Sequence, residues 1–242
     1  MRVGLFITCL SDVFYPEVGT SMVRVLRRLG AEIDFPEGQT CCGQPAFNSG
    51  YQQEAKRAAR QMIQTFEGFE AVVTPSGSCA AMVRHYYPAL FSGEAEWERR
   101  AEQFASRCFE FSEFMVKNWG DRHLPVKMDG TATYHHSCHM YRMLDLSDPP
   151  IRLLSQVEGL TLKELPYHQD CCGFGGTFAV KMADISTAMA DEKVDHVCST
   201  GADYLIGSDM SCLMHLGGRI RRKGHPVEVL HVAQVLDRGW MS

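Results

Sequence analysis

Along this chain, short apolar runs alternate with longer stretches in which apolar residues return every three or four positions. Val3–Thr8 reads as a first strand ending at Cys9. Val18, Met22, Val25, Leu26 and Leu29 then follow at helical spacing, and Gly30 is placed to end that helix as its C′ residue. Ala31–Phe35 reads as a second strand, and Gln52–Phe66 as a helix with Ala55, Ala59, Met62 and Phe66 on one face. Ala71–Thr74 is a third strand, Pro75-Ser76-Gly77-Ser78 a turn, and Ala80–Tyr87 a helix. The rhythm then repeats. Ala132–Tyr134 is a strand, and a helix starting near Pro149-Pro150, with Ile151, Leu154 and Val157 inward, runs to Gly159. Leu160–Leu165 is a strand, Lys181–Cys198 a helix and Tyr204–Ile206 a strand.

Strands alternating with helices predict parallel βαβ units with right-handed crossovers. The fold class expected is α/β, as two tandem pseudo-symmetric units. Each is a small, mainly parallel sheet flanked by helices, over residues 1–118 and 130–242. Trp119–Gly130, with Gly120, Pro125 and Gly130, is the linker candidate. One segment breaks the symmetry: Glu94–Ser106, with Trp97, Ala101 and Phe104 at helical spacing, is an extra helix in the first half. Phe109-Glu110-Phe111 and Val227-Glu228-Val229 are candidates for matching last strands.

The repeat carries chemistry. Eight of the ten cysteines form one pattern written twice: Cys9, Cys41-Cys42 before Gly43, and Cys79; then Cys138, Cys171-Cys172 before Gly173, and Cys212. Corresponding cysteines are offset by 129, 130, 130 and 133 positions, the mark of a duplicated unit. Each lone cysteine or pair falls in a loop just after an expected strand, with Cys79 and Cys212 expected at helix amino termini, where the dipole favours the thiolate. All should emerge at the carboxyl edge of their sheet, where open parallel sheets bind ligands. Gly43 and Gly173 allow the backbone angles that a vicinal-cysteine turn needs.

Four soft thiolates per half select zinc, copper(I) or an iron–sulfur cluster. Zinc sites commonly use two Cys-x-x-Cys hooks, and neither half has one, since position 82 is Met and position 215 is His. Four thiolates match the ligand number of a 4Fe–4S cluster, up to two in the chain. Zinc stays open as the alternative metal, as does a metal-free dithiol–disulfide pair in each half.

Composition narrows the setting. The 242 residues are 45% hydrophobic and 22% charged, and the formal charge of −5 offers no basic surface for nucleic acid. The one basic cluster, Arg219–Lys223, reads as a solvated helix end. The amino terminus lacks the features of a signal peptide, and no apolar run approaches the ~20 residues of a membrane helix. A cytoplasmic chain with no integral membrane segment is expected, where patterned cysteines more often bind metal or do redox chemistry than form disulfides.

The motifs Cys41-Cys42-Gly43-Gln44-Pro45, Ser76-Gly77-Ser78-Cys79, Cys171-Cys172-Gly173-Phe174-Gly175-Gly176 and Ser211-Cys212-Leu213-Met214-His215 resemble the cysteine-rich CCG domain family. That family includes the B subunit of heterodisulfide reductase and the iron–sulfur subunit of glycolate oxidase. Leu5-Phe6-Ile7-Thr8-Cys9 and the run Asp34–Tyr51 are most similar to its stand-alone tandem members of lactate utilisation. The resemblance spans essentially the whole chain. It implies an iron–sulfur subunit that works with two partner proteins in NAD-independent oxidation of L-lactate to pyruvate. It also implies Cys9, Cys41, Cys42, Cys79, Cys138, Cys171, Cys172 and Cys212 as ligands. The chain departs from the heterodisulfide-reductase pattern, in which the motif ends Cys-x-x-Cys. Here it ends Cys79-Ala80-Ala81-Met82 and Cys212-Leu213-Met214-His215, so a five-cysteine cluster is not supported. His215 is a candidate to stand in for the missing thiolate in the second half.

His135, His136 and His139 around Cys138, and His168 and Asp170 before Cys171, are candidates for tuning or relaying protons at the second site. Cys108 and Cys198 lie outside the repeat and read as core residues.

Overall fold

In the computed structural model, which describes residues 1–120 and 122–241, the apolar runs form two four-stranded sheets. They lie one in each of two units, Met1–Phe111 and Ser112–Ser242. The first unit has strands β1 (Arg2–Leu5), β2 (Glu32–Asp34), β3 (Ala71–Thr74) and β4 (Cys108–Glu110), all parallel, in the order β2-β1-β3-β4. The second has β5 (Lys127–His135), β6 (Glu158–Lys163), β7 (Tyr204–Gly207) and β8 (Glu228–His231), in the order β6-β5-β7-β8. The register is conserved with the order: Val3 lies opposite Ile33 and Ala71, and Ala132 opposite Leu162 and Tyr204. The expected fold class is therefore the observed one.

In both sheets the chain builds outward one way from the first strand, then the other way. β1 and β3, like β5 and β7, flank the point where the winding reverses. There the connections leave the carboxyl edge in opposite directions and open a crevice.

The helices follow the apolar spacing. In α1 (Cys9–Phe14) and α2 (Pro16–Arg28), Pro16 opens the second helix. Val18, Met22, Val25 and Leu26 bury one stripe of α2, and Gly30, at φ 84°, lies just beyond its end. After α3 (Gln44–Asn48), α4 (Gln52–Thr65) buries Ala55, Ala59, Met62 and Ile63. The extra helix is present as α7 (Ala95–Ser106), after α5 (Gly77–Ala81) and α6 (Tyr87–Leu90). Its Phe104 stacks on Phe66 with ring centres 5.9 Å apart, and Phe66 also packs on Phe6 at 6.0 Å. Glu94, just before α7, pairs with Lys56 at 2.6 Å and with Arg60, both on α4.

Three expectations need correction. Cys9 and Cys138 are not in loops, whereas Cys79 and Cys212 lie in the first turn of a helix, as expected of them. Cys9 opens α1, Cys79 is the third residue of α5, and Cys138 opens α9 (Cys138–Arg142). Cys212 is the third residue of α13 (Met210–Lys223). The helix over Ala80–Tyr87 starts earlier, at Gly77, and widens into a π turn over Met82–Tyr86 before α6. Pro88, with no N–H and a ring that would meet the carbonyl four residues back, follows that turn. The helix at Pro149-Pro150 is α10 (Asp148–Leu154) and stops short of Gly159. Gly159 is instead the second residue of β6, because β5 extends back to Lys127, inside the linker candidate, and β6 pairs with it. Asp121 of that linker lies outside the described residues. The remaining helices are α8 (Phe111–Trp119), α11 (Phe178–Lys181), α12 (Ala183–Ser199) and α14 (Val232–Arg238). Among the described residues, no helix is long and apolar enough to cross a membrane.

Candidate metal centres

Local chemistry explains how each sulfur is presented. The Ser76 side chain caps α5 by accepting from Cys79 N at 3.2 Å, and the Asp209 side chain caps α13 by accepting from Ser211 N at 3.1 Å. Both caps stand three residues before the cysteine, so Cys79 and Cys212 sit in the first turn, at the positive end of the helix dipole. Thr8 and Ser137, in extended conformation, precede the helices that begin at Cys9 and Cys138. The vicinal pairs lie in loops closed by Gly43 and Gly173, both at φ 84°.

The first set of four sulfurs converges. Cys9 Sγ lies 3.8 Å from Cys41 Sγ, and Cys42 Sγ lies 3.3 Å from Cys79 Sγ. Cys41 and Cys42 interact side chain to side chain and complete the chain of contacts. The second set repeats it, with Cys138 against Cys171, Cys171 against Cys172, and Cys172 against Cys212. All ten cysteines are free thiols.

Within each set one thiol is acidic. Hydrogen bonds from Cys42 and Cys9, with a backbone contribution from Gly43, draw Cys41 down to about 3. Hydrogen bonds from Cys138 and Cys172, helped by Gly173, draw Cys171 down to about 2, and Gly173 N lies 3.4 Å from Cys171 Sγ. Their neighbours move the other way. The bond to Cys41 raises Cys9 and Cys42, and the bond to Cys171 raises Cys138 and Cys172. A soft metal ion displaces thiol protons, so each set is one step into that process at neutral pH.

The surroundings hold the sulfurs in place. The Tyr87 hydroxyl donates to the carbonyl of Cys42 at 2.9 Å, and Gln44 Nε2 donates to Ser78 O at 3.3 Å. Ser186 Oγ donates to Gly173 O at 2.8 Å, and the buried Lys193 donates to Tyr167 O at 2.6 Å. Cys171 borders a cavity of about 190 Å³, whose wall includes Arg142, Asp170, Glu192, Lys193 and His196.

The flanking residues separate into groups. His139 Nδ1 is 3.6 Å from Cys138 Sγ. His136 packs edge-on to Tyr134 at 4.8 Å and beside His168 at 5.0 Å. Burial, then the neighbouring His168, lowers His136 to about 4. His215 Nε2 lies 3.2 Å from Ser186 Oγ, and its ring packs against Phe174. Cys108 is buried in the first unit's apolar core, and Cys198 is half-buried on α12.

His135 carries the feature that sequence spacing alone does not reveal. Burial lowers it to about 3, so the imidazole is neutral, and a ring nitrogen lies with Cys172 and Cys212 Sγ in a trio within 4.8 Å of one another. In sequence His135 lies beside the site on an equal footing with His136, His139, His168 and Asp170. Its position as the last residue of the central strand is the signal that singles it out.

Four linked soft donors in each unit, with a buried and unpartnered imidazole beside the second set, fit a thiolate-held metal group. The chemistry of the donors carries this.

Comparison with known proteins identifies relatives over the full chain. The family model described as a cysteine-rich CCG domain matches residues 3–84 and 132–217. Over 239 residues the chain is 59% identical to "Lactate utilization protein A 2" of Bacillus cereus (strain Q1), covering 99% of both chains. Over 237 residues it is 53% identical to "Lactate utilization protein A" of Geobacillus sp. (strain WCH70), covering 98% of this chain and 99% of the other. The crystal structure of a hypothetical protein from Helicobacter pylori superposes with a TM-score of 0.67 at 10% identity. It matches all of this chain, which spans 49% of that one, and the likeness concerns the fold alone.

Proposed function

Since the chain belongs to the family of tandem cysteine-rich CCG domain proteins, we propose that it is an iron–sulfur electron-transfer subunit serving lactate utilisation. In this reading it acts in the cytoplasm with two partner proteins, in NAD-independent oxidation of L-lactate to pyruvate. The observation that carries the reading is the convergence of four sulfurs in each unit, in a chain similar over its full length to lactate utilization protein A.

Cys9, Cys41, Cys42 and Cys79 would hold one 4Fe–4S cluster, and Cys138, Cys171, Cys172 and Cys212 a second. When bound, such a cluster supplies one-electron transfer. Two one-electron centres suit a reaction that releases two electrons and two protons. The chain's own residues present the lone cysteines from helix first turns and the vicinal pairs from glycine-closed loops, and they bury Cys42, Cys79, Cys172 and Cys212. Dehydrogenation of lactate itself is assigned to a partner.

One distance favours a second reading. Two thiolates bound at about 2.3 Å to a single tetrahedral ion lie roughly 3.8 Å apart, which is the Cys9–Cys41 separation of 3.8 Å. A zinc-stabilised module would therefore also use this site.

Anaerobic purification with metal and sulfide analysis separates the readings. Brown protein with ~4 iron and ~4 sulfide per filled centre supports the cluster. Colourless protein with stoichiometric zinc favours the second reading. Metal-free protein with reversible disulfides from Cys41 or Cys42 rejects both. Deletion of the gene is expected to abolish growth on L-lactate and spare growth on pyruvate, and normal growth on both overturns the lactate assignment.

A further inference from the structure

Position 135 is one where the duplicated units differ in chemistry. The offset that pairs Cys9 with Cys138 pairs Phe6 with His135, each close behind or at the end of the central strand. Phe6 is fully buried in the apolar core that includes Cys42 and Cys79. His135 is only 1% exposed, and neither of its ring nitrogens makes a hydrogen bond. An imidazole buried without partners costs stability, and phenylalanine at the matching place shows that the fold does not require one.

The polar ring is instead placed for a ligand role. One nitrogen lies within 4.8 Å of both Cys172 Sγ and Cys212 Sγ, and it hydrogen-bonds to neither. Three soft or borderline donors from three different segments thus lie within 4.8 Å of one another. We propose that His135 is a direct imidazole ligand of the metal group at the second centre, so that the first centre is held by thiolates alone and the second by a mixed set. The inference rests on the reading that these cysteines hold such a group, and it adds a ligand that the cysteine pattern does not contain.

His215, the histidine favoured by sequence position, has a different employment. The Ser186 hydroxyl has one proton, and it is given to Gly173 O at 2.8 Å. His215 Nε2, 3.2 Å from that hydroxyl, must therefore donate to it. This ring braces the glycine turn beside the vicinal pair.

The consequence is functional asymmetry. A neutral imidazole donor present at the second centre alone changes its donor set relative to the first, so the two centres should differ in potential.

The test uses the full chain, reconstituted anaerobically with iron and sulfide and labelled with ¹⁵N-histidine. Electron–nuclear double resonance of the reduced protein should show nitrogen coupling in the unsubstituted chain. The coupling should be lost in His135→Phe and kept in His215→Ala. Iron and sulfide content should persist in His135→Phe, and one of the two reduction midpoints should move while the other stays. Should the phenylalanine variant fold poorly, His135→Gln is expected to give the same loss of coupling. Iron-loaded protein without nitrogen coupling, or coupling that survives both His135 substitutions, overturns the inference and leaves the cluster reading standing. No iron or sulfide in any sample overturns that reading, and this inference with it.

Discussion

The two glycine turns offer a quantitative check on how the vicinal cysteines are held. Gly43 and Gly173 share φ 84°, where a side chain costs about 1–2 kcal/mol. Their surroundings differ. A Cβ added at Gly43 would sit 3.3 Å from Ala55 O and from the Ala58 Cβ, a gap that closes with a shift of a few tenths of an ångström. A Cβ at Gly173 would sit 2.6 Å from the backbone oxygen of Ser186 and 3.0 Å from the Met189 Cβ. Here α12 itself must move, and overpacking of that kind adds about 1–3 kcal/mol. The Ser186–Gly173 hydrogen bond at 2.8 Å is also at risk. Gly43→Ala is therefore expected to lose about 1–2 kcal/mol and Gly173→Ala about 2–5 kcal/mol. The gain from a stiffer unfolded chain, about 0.4–1 kcal/mol, is common to both and cancels in the comparison. Urea unfolding of the metal-free full chain, followed by circular dichroism, measures the difference. Equal losses, or a larger loss for Gly43→Ala, would refute the claim that backbone contact with α12 constrains the second turn.

Other outcomes follow from the same geometry. Tyr87→Phe removes the donor to the buried Cys42 carbonyl and should cost about 1–3 kcal/mol in the same assay, whereas an unchanged midpoint would show that the bond contributes nothing. In the metal-free chain at pH 5, Cys41 and Cys171 stand above their pKa values of about 3 and about 2 and are thiolates. Brief iodoacetamide treatment and mass spectrometry should find them alkylated well ahead of Cys9 and Cys138, which are held protonated. Uniform labelling would count against that order. Burial holds the folded pKa of His135 at about 3, below its ordinary 6.5, so the unfolded chain takes up the proton first. Metal-free stability should be level above pH ~6.5 and fall as pH drops from there toward 3. At about 1.4 kcal/mol per unit the loss reaches about 5 kcal/mol at most. His135→Phe should flatten this slope, and an identical slope in both chains would assign it to other groups.

Much of this was legible in the residues. The offset of eight cysteines revealed the duplication, and apolar spacing located the strands and even the extra helix at Ala95–Ser106. Failures lie where tertiary contact overrides local pattern. Gly159 has the look of a helix stop because Gly30 is one, yet pairing with an extended β5 draws it into a strand. Cys9 and Cys138 read as loop residues because strand ends are visible in sequence, whereas the helices they open carry no side-chain cap to mark their start.

The sequence by itself determined the architecture and the thiol donors, because periodicity and repetition are properties of the chain's order. Which sulfurs touch, which of them is acidic and which histidine turns inward were decided only by the fold. These depend on distances between residues far apart in the chain, such as Ser186 with His215 or His135 with Cys212. No local pattern encodes such distances. They appear only when the parallel crossovers bring separate strand ends to one edge.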